Sequence, residues 1–193
     1  GRVLKALNES QFRDNTIIVL FSDHGYHMGE KNRFSKHTLW DRSTKVPLVI
    51  AGPGLPQNQR CSRPVELIDI YPTLLDLCHL SPNDTNQGQS LLPLIRNPME
   101  LWPYPALTAY GRGNYSIKND RYRLTEYYDG SLELYDHQSD PNEWKNLAEI
   151  PQYKNLISEL KKALPRKDSA WAAPSDHKVN QHFLEYQRSK GVR

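Results

Sequence analysis

Apolar residues in this chain gather in two short unbroken runs, in an amphipathic stretch near each end, and in a series of alternating positions between. Ile17-Ile18-Val19-Leu20-Phe21 is mostly β-branched and continuous. It predicts a strand over 16–21 buried on both faces, as in a parallel sheet. Val46-Pro47-Leu48-Val49-Ile50 predicts a second buried strand, with Pro47 near its start where a ladder donor is dispensable. Val3, Leu4, Leu7 and Phe12 mark one helical face across 2–13. Residues 26–42 show no period and predict a long loop with a short helix. Over 69–78 a helix is expected, with Asp69 as N-cap and Pro72 in the first turn. Residues 81–105, rich in Pro, Asn and Gln, read as a surface connection.

The texture changes after residue 106. Short alternating segments at 107–110, 115–118, 122–127 and 132–135 are separated by Gly, Asn and Asp turns, which predicts a small antiparallel sheet. Tyr153, Leu156, Ile157 and Leu160 then mark an amphipathic helix. The fold class is therefore α/β in three segments: an α/β part over 1–105, a small sheet with its helix over 106–164, and an irregular or short-helical tail over 165–193.

Composition narrows the function classes. Of 193 residues, 25 are basic and 22 acidic, a net charge of +3 with no long basic block, so nucleic-acid binding is not implied. The locally basic stretch Lys31–Lys45 suits an anionic substrate, or simply a solvated loop. Two cysteines, Cys61 and Cys78, are too few for a disulfide scaffold. Nothing in the sequence resembles a membrane span. Sequons at Asn8, Asn83 and Asn114 are weak evidence for secretion.

Candidate chemistry lies where the first strand stops. Asp23-His24-Gly25 follows Phe21 and Ser22, and ligands in open α/β sheets bind beyond the carboxyl ends of strands. Asp23 and His24 offer a hard oxygen and an imidazole nitrogen to a divalent cation. Gly25 is expected to permit the sharp turn that aims both side chains the same way. Asp, His and Gly after a strand are also ordinary loop residues, so the tripeptide alone decides little.

The order of segments decides more. After Asp23-His24-Gly25 come Met28-Gly29-Glu30, Phe34-Ser35-Lys36, Lys45-Val46-Pro47-Leu48-Val49-Ile50, then Val65–Leu75, and last Glu133–Ala148 with its Leu134-Tyr135-Asp136 and Trp144-Lys145-Asn146-Leu147. This series resembles the C-terminal half of the type I sulfatases of the alkaline phosphatase superfamily. The Asp-His pair, with Lys36 thirteen positions beyond Asp23, is most similar to the iduronate-2-sulfatase group. The resemblance implies an alkaline-phosphatase-like α/β sandwich and a calcium-dependent hydrolase of sulfate esters on a sulfated carbohydrate such as a glycosaminoglycan. It implies Asp23 and His24 as ligands of Ca2+, Lys36 as the residue on the sulfate, and a formylglycine nucleophile. It also suggests a periplasmic, secreted or lysosomal setting.

His27, three residues past His24, is a candidate general acid at the leaving group. Arg112 and Asn114, in a Gly-flanked turn, are candidates to read a substrate carboxylate or hydroxyl, or else only shape that turn. The family's Cys/Ser-x-Pro-x-Arg nucleophile motif and its early Asp-Asp pair are not in this sequence. Cys61-Ser62-Arg63-Pro64 has the right letters in the wrong order, after the metal pair, and is rejected as nucleophile. The chain is therefore expected to work with an N-terminal part of the same protein, and to be inactive alone. Two other readings stay open: a phosphodiesterase or phosphonate hydrolase of the same superfamily, and a non-catalytic remnant that binds a glycan or a partner chain.

Overall fold

A computed structural model describes residues 1–166. The expected tail over 165–193 thus lies almost entirely outside the described residues. Helix α1 spans Arg2–Asn8, shorter than the amphipathic pattern. Strand β1 (Ile18–Phe21) pairs with β2 (Leu48–Ala51), Phe21 opposite Leu48. The pair is antiparallel, which corrects the parallel reading: continuous apolar character reports burial on two faces, not strand direction. Nor are the two strands buried within this chain. Leu20 is 56% and Phe21 51% exposed, because each strand has only the other beside it among the described residues.

Within the long loop expected over 26–42 lies only a 3-10 turn over Glu30–Asn32, and helix α2 (Asp41–Thr44) straddles the loop's end. Helix α3 (Ile70–Leu77) follows a 3-10 turn over Leu67–Asp69. Asp69 precedes α3 as expected, but its carboxylate turns back. It accepts the Glu66 N–H at 2.8 Å and the Gln89 N–H at 2.7 Å. Burial pushes the Asp69 and Glu66 carboxyls above the usual range, against the backbone donors they accept. Residues 81–105 are not only surface connection. Helix α4 (Leu92–Arg96) forms there and buries Leu91 and Leu94; its shortness and Pro93 in the first turn hid it.

The second sheet runs β3 (Ala106–Ala109), β4 (Tyr115–Lys118), β5 (Tyr122–Glu126) and β6 (Leu132–Asp136) as an antiparallel meander. Register sorts its side chains into rows. Ile117 faces Leu124, which faces Leu134, and this apolar row packs with Leu147 and with Ile157 and Leu160 of helix α5 (Lys154–Lys161). Fully burying one such side chain contributes about 1.5–3 kcal/mol.

The alternating positions form the rows Lys118–Arg123–Tyr135 and Ser116–Thr125–Glu133. Alternation of this kind usually marks a solvated outer face. Here the face is covered as well: Ser116, Arg123, Thr125 and Tyr135 are all buried.

Its cover is the segment 31–44, held by charge. Arg123 Nη2 donates to Asp41 Oδ1 at 2.8 Å, and its Nε lies 2.7 Å from Glu143 Oε1 without hydrogen-bond alignment. Lys118 Nζ donates to the same Asp41 oxygen at 2.5 Å. Glu143 Oε2 accepts the backbone N–H of Asp41 at 2.9 Å, so a carboxylate from beyond β6 caps the start of α2. Burial opposes ionisation of Asp41, yet Lys118 and Arg123 hold its carboxyl below the usual range. Glu143 is lowered in the same way, against its burial, by His137, Arg123 and the Asp41 N–H.

Two outcomes are expected. Arg123→Met leaves Glu143 and Asp41 with less countercharge, and should lower stability by about 3–5 kcal/mol in chemical denaturation. Asp136 accepts two hydrogen bonds from Arg121, at 2.9 and 2.7 Å, and that guanidinium first of all lowers its carboxyl to about 2. A depressed carboxylate stabilises above its unfolded value, near 3.9, and loses that contribution as pH falls through its folded value. Melting midpoints of the wild type should therefore drop between about pH 4 and 2, and Arg121→Gln should shrink that drop.

Candidate active site

Asp23, His24 and Lys36 meet just past the end of β1. Ser22 continues the strand pairing by donating its N–H to the Pro47 carbonyl at 3.3 Å, and its hydroxyl donates to the His24 carbonyl at 2.9 Å. The chain then turns, and the Gly25 N–H donates to the Ser43 carbonyl of α2 at 2.8 Å. Gly25 is needed for closeness rather than for a left-handed turn. A Cβ there would sit 2.0 Å from the Arg42 carbonyl oxygen.

The imidazole of His24 is oriented by its own backbone neighbour: Nδ1 lies 2.7 Å from the Gly25 carbonyl, which only accepts. The proton is therefore on Nδ1, and Nε2 keeps its lone pair. That lone pair accepts from Lys36 Nζ at 2.7 Å, and Asp23 Oδ2 is 3.4 Å away. One imidazole nitrogen, one carboxylate and one ammonium thus face a common point. The donors suit part of a divalent cation's shell; Ca2+ takes six to eight oxygen-rich ligands, so two do not complete it. The ammonium beside them suits an anion.

The Lys36 loop is built like a narrow hairpin. The His27 N–H donates to the Ser35 carbonyl at 2.9 Å, and the Gly29 N–H donates to the Arg33 carbonyl at 2.9 Å. His27 lies inside it, 1% exposed, edge-on to Trp40. Its Nε2 is 2.9 Å from Thr38 Oγ1 and its Nδ1 3.2 Å from the Glu30 carbonyl. This corrects the general-acid reading: a buried ring with both nitrogens engaged holds the loop and does not reach a leaving group.

The turn with Arg112 and Asn114 approaches the loop through the exposed rings of His37 and Tyr110, 5.8 Å apart. The amide of Asn114 works within the turn: Nδ2 donates to the Arg112 carbonyl at 3.1 Å and Oδ1 accepts the Tyr128 N–H at 3.2 Å. Of the two roles left open for Asn114, this favours shaping the turn. Arg112 is exposed in that turn, between Gly111 and Gly113, both at positive φ.

Asp41, His137 and Glu143 also bring donor atoms together, as a metal site would. They do not fit a cation, because Arg123 and Lys118 already neutralise both carboxylates. Neither this network nor the His37–Tyr110 contact was legible beforehand. The pairs that tie His37 to Tyr110 and Asp41 to Lys118, Arg123 and Glu143 are 73 to 102 positions apart, with no local pattern to join them.

Comparison with known proteins gives the family. Residues 29–170 match the family described as N-sulphoglucosamine sulphohydrolase, C-terminal, and the chain belongs to that sulfatase family. A sulfatase of Formosa agariphila is 45% identical over 99% of this chain and 38% of its own length. The Delta 4,5-hexuronate-2-O-sulfatase of Bacteroides thetaiotaomicron is 34% identical over 81% of this chain and 35% of its own. Among solved structures, one in complex with its substrate D-glucosamine-2-N,6-O-disulfate has a TM-score of 0.75 at 28% identity, over 84% of this chain and 36% of that one. A phosphonate monoester hydrolase of Agrobacterium radiobacter shares the fold at a TM-score of 0.72 and 27% identity, over 84% of this chain and 36% of that one. The chain spans about two fifths of the length of these relatives.

One substitution tests the turn. Gly25→Ala forces Arg42 and α2 away from the Asp23-His24 turn, and should lower stability by about 1–3 kcal/mol in thermal denaturation. An unchanged midpoint would contradict the close approach.

Proposed function

We propose that this chain is the C-terminal part of a sulfatase that hydrolyses a sulfate ester on a sugar, a 2-O-sulfated hexuronate of a glycosaminoglycan. The observation that carries the reading is the convergence of Asp23, His24 and Lys36, with His24 fixed as the tautomer whose Nε2 lone pair faces that common point, where Lys36 Nζ now donates to it. The substrate class rests on the hexuronate-2-O-sulfatase relative and on the resemblance to the iduronate-2-sulfatase group.

Asp23 and His24 would hold a divalent cation, Ca2+ by family expectation, together with ligands from elsewhere in the protein. When bound, such a cation supplies fixed positive charge that polarises the sulfate. Lys36 places a second positive charge on the sulfate oxygens, where charge accumulates as the ester bond breaks. Preorganised charge of this kind requires no rearrangement at the moment of reaction. Its orientation comes from the Gly25 carbonyl and from the loop that ends at Lys36. The formylglycine nucleophile and the proton donor to the leaving oxygen would come from outside this chain.

The exposed apolar surface of β1 and β2, with Leu20, Phe21 and Val49, would be covered by the N-terminal part of the protein. Among the described residues no helix is long and apolar enough to cross a membrane. A periplasmic, secreted or lysosomal location goes with the family reading.

The test uses the protein expressed from its full reading frame. Lys36→Ala and Asp23→Asn should each lower kcat/KM on an aryl sulfate and on an unsaturated 2-O-sulfated disaccharide by about 100-fold or more. Exhaustive chelation should abolish turnover, and Ca2+ should restore it. Full activity in Lys36→Ala would overturn the site. Faster turnover of an aryl phosphate would shift the reading to the phosphoryl and phosphonate branch of the fold. Chelator-insensitive glycan binding without hydrolysis would leave a binding remnant.

A further inference from the structure

The tip of the Lys36 loop is strained and is tied to a distant part of the chain. Lys31 and Asn32, side by side, have φ of 53° and 55°, a left-handed conformation that residues with a Cβ rarely adopt. Strain of this kind persists only where the surroundings over-determine it, and it gathers at functional sites. The surroundings here are specific. Lys31 Nζ donates to the Tyr135 hydroxyl at 2.9 Å and lies 4.4 Å from the ring centres of both Trp40 and Tyr135. Trp40 is itself held by Glu133, whose Oε2 accepts its indole N–H at 2.7 Å and the Tyr127 hydroxyl at 3.2 Å.

The ammonium therefore sits between two aromatic faces, anchored to β6 across 104 positions of sequence. Burial lowers the Lys31 pKa, and Glu133 and Glu143 counter that by favouring the charged form.

This arrangement joins the ends of a lever. At its base the loop is pinned by His27 to Thr38 and by the His27 N–H to Ser35, next to Lys36. At its tip Lys31 reaches the small sheet at Tyr135. We propose that Lys31 is a positioning residue for the sulfate hydrolysis assigned above: its cation, clamped by Trp40 and Tyr135, holds a strained loop so that Lys36 stays beside the Asp23–His24 pair, within reach of the sulfate. The inference rests on the reading of Asp23, His24 and Lys36 as the sulfate-ester site. It predicts that catalysis depends on a side chain that touches neither substrate nor metal.

The experiment compares Lys31→Met, Lys31→Arg and Lys31→Gly with Lys36→Ala, in the protein from its full reading frame, on the same sulfated disaccharide. Methionine keeps the methylene packing and loses the charge, so kcat should fall about 10–100-fold, the effect of a misplacement near 1 Å. Ca2+ affinity, read by titration, should stay at the wild-type value, because Asp23 and His24 are held by the Gly25 turn. Arginine should restore most of kcat, since a guanidinium also stacks between aromatic faces. Glycine relaxes the backbone but removes the clamp, so its melting midpoint should exceed that of the methionine variant while kcat remains low.

A merely structural role would move kcat and melting midpoint together across the three variants, and that result would overturn the proposal. So would wild-type kcat in Lys31→Met beside an inactive Lys36→Ala. Full activity in Lys36→Ala is the separate failure of the site itself, and the positioning role falls with it.

Discussion

A buried arginine needs carboxylates, and in this chain they come from two distant places. Arg123 lies on the face of the small sheet that alternation would turn to water, 3% exposed. Uncompensated, a charge buried that deeply costs several kcal/mol. Asp41 from the Lys36 segment and Glu143 from beyond β6 supply the compensation. The pairing is a weak source of net stability, because desolvation offsets most of the attraction. Its consequence is geometric: it admits one docking of the 31–44 segment on the sheet. The apolar row Ile117–Leu124–Leu134 on the opposite face supplies the burial that holds the sheet together.

The site geometry follows from that docking. Glu143 caps α2, the Ser43 carbonyl of α2 holds Gly25, and Gly25 sets the tautomer of His24. Thr38 reaches from Ser43 to His27, which closes the base of the Lys36 loop. Lys31, Trp40 and Glu133 extend the same sheet face to the loop's tip. The small C-terminal sheet thus supports the loop that carries Lys36 to His24. This is the outer support that metal and anion sites require, placed on a rigid element rather than on the loop.

That Asp23, His24 and Lys36 form one cluster was legible in the sequence because they are close in it. They flank one loop, and the resemblance that ordered them rests on short local motifs. The four alternating segments and the helix around Leu156 and Leu160 were legible for a related reason, since period 2 and period 3.6 are written locally. His27 was misread because proximity in sequence was taken for proximity to the reacting atoms, whereas the hairpin turns its ring inward against Trp40. The short α4 escaped because a five-residue helix with a proline carries no readable period.

The sequence by itself determined the family, the candidate residues that flank the Lys36 loop and the elements of the small sheet, all of which are encoded over a few to a few dozen adjacent positions. Tertiary structure decided the direction of the β1–β2 pairing, the burial of the sheet's polar face, the role of Gly25 and the partners of Arg123, Glu143 and Lys31. Each of these depends on which groups meet across the fold. A polar residue at an alternating position looks the same whether water or a distant carboxylate satisfies it, and only the packing of the 31–44 segment on the sheet distinguishes the two.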